Sequence, residues 1–148
     1  MQGHANIVRQ GEGVRFPVGP TLITTKLGSE QTGRMFLAEH QLPAGFAGPP
    51  PHTHGKMDHL FYVLNGRARF VADREEYVAG PGDVAFLPRG VPHTFGNAGD
   101  EIARILEFNV PGGFDRYYAE LAEAFPPGSD VQPAMVREIM ARHGISPA

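Results

Sequence analysis

Histidine is the commonest side-chain ligand of transition metals, and three of this chain's seven histidines fall within eight residues. In PPPHTHGKMDHLFYVLNG, residues 49–66, His52 and His54 stand two apart, so an extended strand turns both imidazoles to one face. His59 opens the apolar run Leu60 to Leu64, which reads as a buried strand, and Asn65-Gly66 after it is a tight-turn signal. His93 lies in a second stretch, GDVAFLPRGVPHTFGN, residues 82–97. Histidines converging from strands are what a transition-metal site needs.

The elements that would carry them are short and closely punctuated. Residues 1–13 are polar and glycine-containing and read as a loose arm, with His4 a solvated tail histidine. Thr21 to Thr25 is β-branched and reads as a first strand. Gly28 to Gly33 reads as a polar turn, and Arg34 to Leu42 alternates, with Phe36, Ala38, His40 and Leu42 on one face. His40 has no partner at ligand spacing and stands as a strand histidine with access to a pocket. Pro43 to Pro51 is a turn-rich loop. Further strands are read at Arg67 to Val71, Glu75 to Ala79, Val84 to Leu87, His93 to Phe95 and Ile102 to Val110, separated by turns such as Gly80-Pro-Gly-Asp.

The period then changes. Phe114, Tyr117, Tyr118, Leu121 and Phe125 recur at helical spacing and predict an amphipathic helix over 114–125. Pro126-Pro-Gly breaks it. Pro133 opens a second helix over about 133–143, striped by Met135, Val136, Ile139 and Met140, with Gly144 as its C-cap and His143 beside the helix terminus. Short strands with frequent turns indicate an all-β sandwich or barrel over about residues 20–110, followed by two short helices. No linker interrupts the chain, so residues 1–148 read as one domain.

Composition narrows the partners. A net charge of −3 without a basic block argues against nucleic acid, and no apolar run is long enough to span a bilayer. Zero cysteines exclude disulfides and thiolate ligands. No apolar signal-peptide core opens the chain, which makes a reducing cytoplasm the expectation. A small molecule is the expected partner.

The two histidine stretches resemble the paired motifs of the cupins, small jelly-roll barrels. The first cupin motif is HxH, three or four residues, Glu, six residues, Gly; here it runs His52-Thr-His54, four residues, His59, six residues, Gly66. The second is matched at every position, by Gly82, Pro88, Gly90, His93 and Asn97. The departure is His59, which stands where the family usually has glutamate. Strand alternation prevents Asp58 and His59 from both facing inward without a bulge, and counting back from Gly66 favours His59. The resemblance thus implies one divalent metal held by His52, His54, His59 and His93, with Asp58 either an exposed carboxylate or a partner for a ligating imidazole. Taken singly, each histidine would be a core or turn residue; at matching spacing in both motifs they imply a metal. Four nitrogen donors suit Fe, Mn, Ni, Cu or Zn. They leave the metal's charge uncompensated and remove the obvious general base.

Phe36, Phe61 and Phe95, with His40, are candidate pocket residues, and an aromatic cavity suits a flat phenolic, enol or polyketide-like ligand. Three functions follow: a metal-dependent oxygenase resembling the quercetin dioxygenase-like single-domain cupins, a non-redox zinc cyclase or isomerase, or a ligand-binding cupin without catalysis. Leu60, Tyr62 and Leu64 alternate opposite His59 and would need cover, from a second subunit in a homodimer or from the C-terminal helices. The helix over 114–125 is expected to pack outside the barrel, as cover or as a lid over the site.

Overall fold

A computed structural model describes residues 4–148, and residues 1–3 of the expected arm lie outside the described residues. The strands are β1 (Val14–Val18), β2 (Thr21–Leu27), β3 (Phe36–Leu42), β4 (His52–His54), β5 (Asp58–Asn65), β6 (Ala68–Ala72), β7 (Glu75–Ala79), β8 (Val84–Leu87), β9 (His93–Asn97), β10 (Ala103–Val110) and β11 (Ile145–Pro147). The helices are α1 (Ser29–Thr32), α2 (Asp115–Ala124) and α3 (Pro133–Arg142). Two antiparallel sheets face each other, one ordered β1-β2-β3-β10-β5-β8 and the other β11-β4-β9-β6-β7. This is the expected mostly-β jelly roll with two C-terminal helices, its sheets packed as an open sandwich rather than a closed barrel.

Two strands extend the sheets beyond the expected limits. β1 lies where a polar arm gives way to VRFPV and pairs with β2 from Val14↔Thr25 to Val18↔Thr21. It is an edge strand, where Pro17 removes no interior ladder bond. β11 follows the cap at Gly144, whose φ of +71° turns the chain back. It pairs with β4, Ile145 against His54 and Pro147 against His52. The polar turn at 28–33 contains the single-turn helix α1, with Gln31 Oε1 accepting from the Gly28 N–H at 2.9 Å.

Period-2 alternation divides the interior into two apolar clusters. Leu42, Phe61, Val63, Phe70, Leu87, Phe95 and Ile105 fill one end between the sheets. At the other end Ile23, Phe36 and Ala38 meet Phe114, Tyr118 and Leu121 of the α2 region and Ile139 and Met140 of α3. The helices close this wide end, which the short strands alone would leave open to water. The motif residues hold the turns: Gly66 has φ +78° and a Cβ there would lie 2.9 Å from Ala103 Cα, and Asn97 Nδ2 donates to the carbonyls of Leu42, Pro43 and Glu101.

Candidate metal centre

Between the two clusters the histidines converge. β4 and β9 are neighbours, with His52 directly opposite His93, and alternation along β4 puts His54 on the same face. One ring nitrogen from each of His52, His54 and His93 lies within 4.8 Å of the others. Nδ1 of His52 faces the Pro50 carbonyl at 2.9 Å, and Nδ1 of His93 faces that of Val91 at 2.9 Å. A carbonyl only accepts, so Nδ1 carries the proton in both rings and Nε2 keeps its lone pair. Burial, chiefly, and then the neighbouring imidazoles lower all three: His52 falls below its usual value, His93 to about 4 and His54 to about 2. All three are neutral near pH 7, the state that ligates a metal.

His59 approaches this trio from β5 in the opposite sheet, though it is not among the residues whose ring nitrogens group within 4.8 Å. Its ring centroid is 4.1 Å from that of His54 and 5.5 Å from that of His93. It is 2% exposed, yet neither ring nitrogen has a hydrogen-bond partner, and His54 Nε2 is equally orphaned. An unsatisfied buried polar group costs about 1–3 kcal/mol. His54 Nε2 and one nitrogen of the adjacent His59, buried without partners, match what a divalent cation with nitrogen donors would satisfy, so the residues present fit a metal.

Behind His59 lies Glu107, 1% exposed on β10. Its Oε2 accepts from His40 Nε2 at 2.5 Å and from the Tyr118 hydroxyl at 2.5 Å. Its Oε1 accepts from Asn109 Nδ2 at 2.6 Å and lies 3.5 Å from His59 Nδ1. Burial alone would raise the carboxyl; the donors on His40 and His59 outweigh it and hold the group well below the usual carboxylate range. Burial and this carboxylate push the Tyr118 phenol well above its ordinary value, so it keeps its proton.

A cavity of about 490 Å³ opens over the histidines. Its walls include Phe61, Phe95, Phe114, Tyr117, Tyr118 and Leu121, and the loop between α2 and α3 edges it with Gly128, Ser129, Asp130 and Val131. Among the described residues, no lysine or arginine lines it.

Both histidine stretches fall inside residues 38–109, which match the model of the Cupin domain. The chain belongs to the cupin superfamily. It is 27% identical over 121 residues to quercetin 2,3-dioxygenase of Bacillus subtilis, an alignment covering 80% of this chain and 35% of that protein. The chain thus spans about a third of that relative's length. Its fold is similar to KdgF from Halomonas sp. (TM-score 0.67, 18% identity, 76% of this chain and 99% of that one). It is also similar to the polyketide cyclase RemF from Streptomyces resistomycificus (TM-score 0.62, 25% identity, 72% and 80%).

In this cupin the residues singled out from sequence have different fates. His40, Phe61 and Phe95 line the cavity. Phe36 does not; it is fully buried against Phe114 and Tyr118, at centroid distances of 6.2 and 5.8 Å. Asp58 faces away from His59 and gives both carboxylate oxygens to Arg89, Oδ2 to Nη2 at 2.7 Å and Oδ1 to Nε at 3.1 Å. Arg89 holds the Asp58 carboxyl at about 2. Glu107, Tyr118 and Asn109 were not legible as site residues. The available signal was His40, a strand histidine on an inward face with no partner in its own sequence neighbourhood.

Proposed function

We propose that this cupin holds one divalent transition metal through His52, His54, His59 and His93 and acts as an oxygenase on a flat, uncharged phenolic, enol or polyketide-like molecule. The observation that carries this reading is the cavity itself: orphaned imidazole nitrogens at its base, aromatic walls, and no cation to pair with an anionic substrate. A metal held by these residues would supply Lewis acidity, and iron, manganese, nickel or copper would also give access to dioxygen.

The chain's own residues supply the remainder. Phe61, Phe95, Phe114 and Tyr117 offer ring faces and edges against which a planar ligand stacks, and they exclude water. The Glu107 oxygens are already occupied by His40, Tyr118 and Asn109, so the proton released by an acidic ligand must leave by another route. The similarity to quercetin 2,3-dioxygenase favours oxygenation, and the likeness to the polyketide cyclase RemF favours a second reading, non-redox cyclisation on zinc.

Oxygen consumption separates the two. Metal-free protein reloaded singly with iron, manganese, nickel, copper or zinc is offered a panel of flavonols and linear polyphenolic ketones. The oxygenase reading expects uptake with at least one redox-active metal and none with zinc. Turnover with zinc that persists without dioxygen would replace it with the cyclase reading. We also infer a homodimer, built on the outer face of β5 and β8.

A further inference from the structure

We propose that Glu107 is the positioning residue for His59 and the countercharge of the metal centre, restoring from β10 the carboxylate that the first histidine motif lacks. The inference rests on the four-histidine reading above. Four neutral imidazoles leave a divalent ion's charge uncompensated, and a buried cation needs an anion close by. The acids along the cavity are Asp130, exposed on its rim, and Glu107, sealed at its base.

Strand register places Glu107 for this work. Asn109 pairs directly with His59, and Ile105 pairs directly with His40. Glu107 lies between them on the same face of β10, diagonal to both histidines, and reaches each with one oxygen. Oε2 receives His40 and Tyr118, and Oε1 receives Asn109 and faces His59 Nδ1. Tyr118 and Asn109 donate to it and two imidazoles face it, surroundings built around an anion. At 3.5 Å the approach of His59 Nδ1 to Oε1 is longer than a hydrogen bond, and Oε1 is the acceptor this nitrogen faces. That contact puts the proton of His59 on Nδ1 and leaves Nε2 free on the cavity side. It matches the tautomer that the Pro50 and Val91 carbonyls impose on His52 and His93, with a carboxylate as the stronger acceptor.

The test uses zinc and cobalt on the full chain. Glu107→Gln keeps the volume and removes the charge; Glu39→Gln, at a buried glutamate of β3 paired to Arg104 and away from the cavity, is the control. Competition with a chromophoric chelator should show zinc bound about 10–100-fold more weakly in Glu107→Gln. The cobalt absorption bands should move in that variant, while Glu39→Gln matches the wild type in both readouts. If Glu107→Gln does not fold, ¹⁵N-histidine NMR of the zinc-loaded wild type decides. His59 should show a metal-bound Nε2 and an exchange-protected Nδ1 proton downfield of those of His52 and His93. Unchanged affinity and bands in Glu107→Gln, or His59 protonated on Nε2, would overturn the proposal. Zinc binding that His59→Ala leaves intact would instead overturn the four-histidine reading, and this proposal with it.

Discussion

A buried imidazole with neither nitrogen bonded, as at His59, is stable only if the folded protein supplies a partner. That His59 and not Asp58 faces inward was legible because strand alternation permits only one of two successive side chains to do so. Asp58 sits on the Arg89 side. Alanine at His52, His54, His59 or His93 should therefore cut bound metal to below about a tenth of wild type, with losses of 10–100-fold or more in affinity. Asp58→Ala should keep it. Full metal in His59→Ala with loss in Asp58→Ala would reverse the assignment. Glu107 escaped because the sequence Leu106-Glu-Phe-Asn109 alternates apolar and polar residues, and a polar residue on such a strand is ordinarily placed outside. Here the order is inverted: Glu107 and Asn109 are buried and Leu106 and Phe108 lie on the outer face. Only partners distant in sequence, His40 and Tyr118, make that inversion affordable.

The helices were legible as elements because five aromatic or leucine residues kept a helical period over 114–125, and Pro133 and Gly144 bracketed the next. Their place was not, since periodicity gives a face and not its partner. α2 does more than cover an outer surface: Tyr117, Tyr118 and Leu121, with Phe114 at its N-cap, form a wall of the cavity. β1 and β11 were missed because each is short and contains proline, and only pairing to β2 and β4 makes them strands. Deleting residues 112–148 removes that wall, the cover of Phe36 and the strand beside the HxH motif. The truncated protein should aggregate and lose metal. The milder Ile139→Ala, at a site 1% exposed, should cost about 2–5 kcal/mol, with Tm lower by several degrees and metal stoichiometry unchanged. A truncated chain that stays monodisperse with its metal would contradict this placement.

Over the whole molecule, the two-sheet β architecture followed from turn spacing and the jelly roll from the paired motifs, and the wide cavity did not, because it is a property of how two sheets and two helices meet. The outer face of β5 and β8 carries Tyr62, Val84 and Phe86, which are 40%, 55% and 59% exposed, in the cross-strand pairs Tyr62↔Val84 and Leu60↔Phe86. The C-terminal helices lie at the other cluster and leave this face bare. A contiguous apolar face on an edge strand calls for cover. Light scattering at micromolar concentration should give twice the chain mass of 16.0 kDa, and Phe86→Glu should shift it toward the monomer. A wild-type mass of 16.0 kDa would refute the dimer.

The central claim is that the buried histidines exist to hold a metal. Elemental analysis of protein purified without added metal tests it most directly, with His54→Ala prepared in parallel. The account predicts close to one equivalent of a divalent transition metal per chain in the wild type and less than about a tenth of that in the variant. Wild-type protein that carries no more metal than His54→Ala, and takes up none on dialysis against iron, manganese, nickel, copper or zinc, would contradict it.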